Sequence, residues 1–365
     1  MKASLDSVAP KPVKTQETTP VFTLGRRYGN EDVYVDLTIQ DALNHIHAFG
    51  PSSASRTDML INISRNAIEN NSGLVFCQAV ANEADRNAAM LSIMNRAVNI
   101  RRRRDFFVLD ISDLKSKLGN TFNILEHVAS GDQAANLFLE LTVPNQAYFP
   151  VWVSRALIAA AGERHLSSHP DQPLTVDGLC RKLDEIKEET EFPLEDMAWR
   201  PALDGKSQKR GFEFLAEYVR TVASTHPRIF DTTSKWSGIR HMFDSRQIVV
   251  VFLADGDGIA GWISKIVLDA VKRAICEAPI TPDYPNMVVF NDLADVGLSD
   301  RETAAAASRR IVLAVGDQCP TLPAAFSEKA ARFRCLLRDR NEFDHCLATD
   351  EGNGEIGLYS AWRRA

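Results

Sequence analysis

The sequence predicts an α/β protein with a mostly parallel sheet that is interrupted by an all-helical insertion, and three observations support this. Between residues 33 and 111, short apolar runs alternate with segments of helical periodicity. From about 133 to 243, helical periods dominate and strand patterns are few. The alternation resumes at Ile248–Leu253, a β-branched run typical of a central parallel strand. Alternating strands and helices favour a parallel sheet covered by helices.

In the first part of the chain, apolar runs predict the strands and helical spacing predicts the helices. A helix is expected from Arg56 onward, because apolar residues recur there at helical spacing until Gly73 follows its end. Another is expected around Met94. The strands of this part are expected at 33–37, 44–49, 74–77 and 106–111.

The second part contains the remaining strands, and the composition suggests where the domains divide. Its strands are expected at 248–253, 287–290, 311–315 and, as the last one, 333–337. The predicted division is a flexible arm at 1–20, the α/β domain's first part at 21–132, an all-α insertion at 133–243, the α/β domain's second part at 244–347 and a C-terminal tail at 348–365.

Composition narrows the class of protein. The chain has 365 residues, of which 45% are hydrophobic and 25% charged, as in globular proteins. A formal net charge of −6 gives no bulk attraction to nucleic acid. The 6 cysteines are scattered without a CxxC pair, which indicates reduced thiols and no zinc site, so we expect no metal ligand set. The polar, proline-containing start is not a signal peptide, and no apolar run is long enough to span a bilayer.

The loop after the second predicted strand resembles a phosphate-binding loop with two replacements. The usual pattern is Gly, four residues, then Gly-Lys-Ser/Thr. Gly50 and Thr57 match it, whereas Ser55 stands in place of the second glycine and Arg56 in place of the lysine. The nucleotide-binding residues predicted from this loop are therefore Gly50, Ser55, Arg56 and Thr57.

Each replacement weakens the expected chemistry. The second glycine permits a backbone geometry that Ser55 would adopt only at some cost. Arg56 keeps the positive charge but is larger, planar and forked. Thr57 keeps the hydroxyl that would ligate Mg²⁺. Two interpretations stay open: an inherited turn that binds no nucleotide, or a degenerate loop that still binds ATP and Mg²⁺.

Several landmarks, taken in order, resemble the type IV secretion coupling proteins, which are TraD/TraG-like conjugation ATPases. The loop after His47–Gly50 is followed by Phe106–Asp110, by Asn120–Leu125 at the start of the helical stretch, and later by Ala307–Arg310 and Gly316–Gln318. The resemblance covers about 22–347. It implies a RecA-like P-loop NTPase-type fold with an all-α domain, usually hexameric and usually preceded by two membrane helices, for which this sequence has no apolar run.

The resemblance also assigns roles to residues near the later strands. The strand at 287–290 should end in an Asp-Glu pair that binds Mg²⁺ and activates water, but here Asn291 and Asp292 follow it. If the register shifts by one, Asp292 is aligned and Leu293 replaces the base. Asp292 alone could equally cap the next helix. Gln318 matches a γ-phosphate sensor.

Two clusters of arginines are the remaining candidate functional residues. Each could instead be an ordinary solvated surface. Arg309 and Arg310 match the position of an arginine finger that reaches a neighbouring subunit, or they form a solvated helix face. The run Arg101–Arg104 contacts DNA phosphates, or it too is a solvated face.

Two functions follow from the sequence. The first is an ATPase-deficient pseudo-motor, cytoplasmic or held at the inner membrane by its partners. It would assemble, as a homo- or hetero-oligomer, with type IV secretion components that include an intact coupling ATPase, and would act through protein or DNA contacts. The second is an atypical ATP-dependent translocase of DNA or protein that uses Arg56 in place of the lysine. In both, the helical insertion is the part expected to contact the partner or substrate.

Overall fold

The structure is a computed structural model in which two compact units can be described separately. It describes residues 20–27, 34–43, 45–49, 53–80, 83–100, 102–114, 119–141, 151–188, 205–234, 236, 238–243, 245–254, 256, 258–280, 284–293, 296–317, 333–337, 345–350 and 354–359. The first unit comprises Met1–Phe106, Arg240–Val251 and Lys272–Ala365, and the second comprises Phe107–Ile239 and Phe252–Val271.

The strands and helices alternate as the sequence predicts. The strands are β1 (Pro20–Arg27), β2 (Tyr34–Thr38), β3 (Ile46–Phe49), β4 (Leu74–Ala79), β5 (Phe106–Asp110), β6 (Ile248–Leu253), β7 (Asn286–Asn291), β8 (Ile311–Asp317), β9 (Phe333–Leu337), β10 (His345–Asp350) and β11 (Gly354–Tyr359). The helices are α1 (Ile39–Ala42), α2 (Ser53–Glu69), α3 (Glu83–Asn99), α4 (Gly131–Glu140), α5 (Val151–Ser168), α6 (Val176–Glu188), α7 (Gly205–Thr225), α8 (Ile259–Glu277) and α9 (Asp300–Ser308).

The sheet of the first unit combines a parallel part and an antiparallel part. Its strand order is β2-β1-β11-β10-β9-β3-β8-β7-β4, followed by the start of β6. The pairs β9–β3, β3–β8, β8–β7 and β7–β4 are parallel, whereas β9, β10, β11, β1 and β2 pair in antiparallel fashion. The prediction of a mostly parallel α/β core is therefore confirmed.

Burial explains why the sequence predicts the parallel strands correctly. All six residues of β6 and of β7 are buried, and so are five of the six residues of β4. Strands of a parallel sheet are covered on both faces, so they become nearly continuous apolar runs. The helix α2 packs on this sheet through side chains such as Leu60, Ile63 and Ala67, which are buried completely.

The prediction of the last strand was wrong. Phe333–Leu337 is not the last strand, because β10 and β11 follow it and fall partly or wholly in the segment predicted to be a tail, 348–365. Their sequences mix polar and apolar residues, as antiparallel strands do, and so give no apolar run. The strand β1 was also missed. The predicted arm at 1–20 lies outside the described residues except for Pro20, with which β1 begins.

The second unit contains the helices of the predicted insertion. Helices α4 and α5 pack closely, since a Cβ atom at Gly131 would lie 1.9 Å from the carbonyl oxygen of Ala159. The unit starts at Phe107 and includes β5, so it is larger than the predicted insertion at 133–243. In the part of the chain that the structure describes, no helix is long and apolar enough to cross a membrane.

Candidate functional site

Three parallel strands of the first unit end at one edge of the sheet, and the candidate residues lie there. The register pairs Phe49 of β3 with Asp317 of β8, and Gly316 of β8 with Asn291 of β7. The carboxyl ends of parallel strands are where α/β proteins bind ligands. Gly50 and the next two residues lie outside the described residues.

Helix α2 begins at Ser53, which is earlier than the predicted start at Arg56. Ser55 therefore lies inside the first turn of a helix, a conformation that any L-residue adopts readily. The expected backbone cost at Ser55 is absent, and the expectation of strain there was wrong. Thr57 follows one turn into the same helix.

Arg56 forms an ion pair with Asp292. Its Nε donates to Asp292 Oδ1 over 3.1 Å, and its Nη2 donates to the same oxygen. The arginine side chain is 1% exposed and the aspartate side chain 19% exposed. A buried guanidinium requires an anion, and this carboxylate provides one. The two predicted site residues, separated by 236 positions, are therefore in direct contact.

The other carboxylate oxygen of Asp292 also binds α2. Ser53 Oγ donates to Asp292 Oδ2. Asp292 lies in the left-handed region with φ 53°, and its backbone N–H donates to the carbonyl of Gly316 over 2.9 Å. Aspartate tolerates this conformation better than most residues do. The backbone of Asp292 thus continues toward β8 while its side chain turns back to the start of α2.

Asn291 contacts the residue that would ligate Mg²⁺. Its Nδ2 donates to Thr57 Oγ1 over 2.7 Å. Asn291 is fully buried, and its Oδ1 has no hydrogen-bond partner among the described residues. A Cβ atom at Gly316 would lie 2.7 Å from that oxygen, so only glycine fits beside it. Asn291 thus contacts Thr57 while Asp292 contacts Arg56, and the choice between the two registers of the acidic pair stays a prediction.

A second pair joins β3 to β8 at the same edge. His47 Nε2 lies 3.3 Å from both carboxylate oxygens of Asp317, and the imidazole stacks on Phe49 with ring centroids 5.2 Å apart. His47 is completely buried. The sequence does not predict a role for Ser53 or Asp317, because each occupies a position to which its motif assigns no specific side chain.

His45, which directly precedes β3, is buried and neutral. Its Nδ1 accepts from the backbone N–H of Leu313 over 3.3 Å, and its Nε2 lies 3.4 Å from the carbonyl of Thr303. A ring that accepts at one nitrogen and donates at the other is uncharged. Burial lowers its pKa from 6.5 to about 4.

The remaining candidates lie elsewhere. Arg309 Nη1 donates to the carbonyl of Ala278, just past the end of α8. Arg310 has φ 58°, and its carbonyl accepts from the backbone N–H of Asn286 over 3.1 Å. The arginine-finger role of both stays a prediction, and Gln318 lies outside the described residues. Among the described residues, no group of His, Cys, Asp or Glu could hold a metal ion.

No protein-family model and no curated protein match the sequence. Among solved structures, the bacterial conjugative coupling protein TrwBdeltaN70, in an unbound monoclinic form, matches with a TM-score of 0.51 and 13% identity over 89% of this chain and 87% of that chain. The chain has the fold of a conjugative coupling protein. At this identity the likeness establishes the fold alone, and it confirms the predicted RecA-like, P-loop NTPase-type architecture and, for the fold, the predicted resemblance.

Two further structures with the coupling-protein or a related fold match more weakly. The plasmid coupling protein TrwB in complex with the ATP analogue ADPNP matches with a TM-score of 0.47 and 13% identity over 88% of this chain and 79% of that chain. VirB4 of Thermoanaerobacter pseudethanolicus matches with a TM-score of 0.47 and 10% identity over 93% and 96% of the two chains.

Proposed function

We propose that this chain is a coupling-protein-like component of a conjugation or type IV secretion apparatus that hydrolyses ATP poorly or not at all. It acts through contacts with proteins, or with DNA, of that apparatus. The observation that carries the proposal is the closed state of the candidate site. Arg56 is held by Asp292 and Thr57 is held by Asn291, so both halves of a nucleotide site bind each other.

The chemistry of the replaced residues supports the same conclusion. A working loop uses a lysine as a compact charge on the β- and γ-phosphates, whereas Arg56 is larger and planar, and its guanidinium is bound to Asp292. Mg²⁺ prefers carboxylate and water oxygens, whereas Asn291 directs its amide nitrogen at Thr57. The described residues therefore fit ATP with Mg²⁺ poorly, and we derive no hydrolytic step through them.

The proposed partners rest on analogy of fold. A protein with the coupling-protein fold and a weak ATPase site would contribute surfaces to an assembly, either with copies of itself or with an intact coupling ATPase. The second unit, with helices α4–α7, is the candidate surface for protein or DNA cargo, by analogy of fold. We place the protein in the cytoplasm. Those partners alone would hold it at the inner membrane.

One observation favours the alternative function, an atypical ATP-dependent translocase. The structure brings Arg56, Thr57 and Asp292 together at the carboxyl edge of a parallel sheet, where motors bind nucleotide. If Asp292 moved aside, Arg56 would face the place of the phosphates. In this function Arg56 replaces the lysine, and Thr57 with Asp292 would hold Mg²⁺.

The experiment that separates the two functions is steady-state phosphate release by the purified chain, combined with calorimetry of a non-hydrolysable ATP analogue and Mg²⁺. The proposal expects turnover at the level of Arg56→Ala and no binding below millimolar nucleotide. Turnover that disappears in Arg56→Ala would overturn it in favour of the translocase. A titration with duplex DNA at increasing salt tests the DNA contact, since binding through phosphates weakens steeply with salt.

A further inference from the structure

The first turn of α2 lacks a negative charge of its own. No acidic residue occupies that turn, although the start of a helix carries free N–H groups and a partial positive charge. Arg56 adds a full positive charge there, in a side chain that is 1% exposed. An anion must therefore neutralise this part of the protein.

The anion is the side chain of Asp292, and it uses both of its oxygens. Oδ1 accepts from Nε and Nη2 of Arg56, and Oδ2 accepts from Ser53 Oγ. Ser53 and Arg56 are three residues apart, so they lie on one face of the first turn. A carboxylate that accepts from a hydroxyl and a guanidinium at the start of a helix makes side-chain contacts of the kind that a phosphate makes at such a site.

Asp292 reaches this position because its backbone is fixed independently. Its N–H donates to the carbonyl of Gly316 over 2.9 Å, and its φ of 53° turns the chain so that the side chain points back from β7 to α2. The carboxylate is thus placed by the backbone at the edge of the sheet.

We propose that Asp292 is a built-in substitute for a phosphate group, which closes an anion site formed by Ser53 and Arg56 at the start of α2. A phosphate or polyphosphate enters only by displacing this carboxylate, so the site is autoinhibited in the chain as it stands. This inference rests on the proposed function, because it names the contact that keeps nucleotide out of the same site.

The test is calorimetry of sodium tripolyphosphate, without nucleoside or metal, against the full chain and Asp292→Asn. The neutral side chain keeps the shape but leaves Arg56 short of negative charge. We expect the variant to bind tripolyphosphate at least about tenfold more tightly than the unchanged chain does. Adding Arg56→Ala to the variant should abolish the gain. Asp171→Asn is the matched control, because it removes one exposed carboxylate from the net charge of −6 and should change nothing.

Equal affinity of the unchanged chain and Asp292→Asn, or an equal gain in Asp171→Asn, would overturn the inference. A second readout covers loss of stability in the variant: tripolyphosphate should raise the thermal midpoint of Asp292→Asn and of Asp292→Ala, and leave that of the unchanged chain in place. If it raises none of the three, the inference is wrong. Because no nucleotide is used, these results are independent of the ATP turnover that tests the proposed function.

Discussion

The amide of Asn291 donates to the hydroxyl of Thr57 over 2.7 Å, joining the end of β7 to the first part of α2. In a working motor, a carboxylate and this hydroxyl would both face Mg²⁺. Here an uncharged amide satisfies the hydroxyl directly. This contact supports the proposal that the chain hydrolyses ATP poorly or not at all.

Asn291→Asp should destabilise the chain and make its stability depend on Mg²⁺. The substitution buries a carboxylate beside Asp292 in place of a neutral amide, and we expect a loss of about 1 to 3 kcal/mol in the free energy of unfolding. Mg²⁺ should restore part of it, because the cation offsets both charges. Urea unfolding with and without Mg²⁺ measures this.

Asn95→Asp, at an exposed position of α3, is the control for that variant and should change stability by less than about 0.5 kcal/mol in either buffer. If Asn291→Asp were as stable as the unchanged chain and indifferent to Mg²⁺, the contact between Asn291 and Thr57 would not have the importance assigned to it.

Gly316→Ala should be destabilising, because neighbouring side chains pack closely against Gly316 and leave no room for a Cβ atom. The new Cβ atom would lie 2.6 Å from Leu60 Cδ1 and 2.7 Å from Asn291 Oδ1. Overpacking of this kind costs about 1 to 3 kcal/mol. Chemical denaturation measures it against Gly258→Ala, where nothing lies within 4 Å of the new atom. Equal effects of the two substitutions would contradict the packing described at Gly316.

The sequence predicted the parallel part of the fold well because local physics determines it. A strand buried on both faces is an apolar, β-branched run, and the predicted bounds of β6 agree with the structure. The strands β1, β10 and β11 were missed, because an antiparallel strand is compatible with mixed composition. Nothing within such a segment distinguishes it from a loop.

The sequence predicts candidate site residues, but it does not predict the contacts between them. Arg56, Thr57, Asn291 and Asp292 all belong to recognisable motifs. The hydrogen bond from Ser53 to Asp292 joins residues 239 positions apart, and the register of β7 against β8 creates it. A single sequence does not specify that register locally, so the closure of the site by its own carboxylate could not be foreseen.

Arg102→Ala should destabilise the first unit, whereas Arg104→Ala should not. Arg102 is 8% exposed, and it donates to the carbonyls of Ser72 over 2.8 Å, Ile68 and Arg246. These contacts complete the end of α2, and their loss should cost about 2 to 4 kcal/mol. The exposed Arg104 should matter by less than about 0.5 kcal/mol. Urea midpoints compare the two; a similar small loss in both would mean that the whole basic run is solvated.

His45 should make the chain less stable in mild acid. Burial lowers its pKa from 6.5 to about 4, so the folded protein holds the neutral ring while the unfolded chain accepts a proton below 6.5. The stability it contributes is complete above that pH. It is lost as the pH falls toward 4, by up to about 1.4 kcal/mol per pH unit.

The pH effect of His45 can be isolated with His45→Asn, because asparagine tolerates the left-handed backbone, with φ 66°, and does not titrate. The free energy of unfolding of the unchanged chain minus that of the variant, measured in urea at each pH, should be constant above pH 7. It should fall steadily between 6.5 and 4. A flat difference for His45→Asn would show that the ring is solvated and titrates normally, contrary to its hydrogen bonds with Leu313 and Thr303.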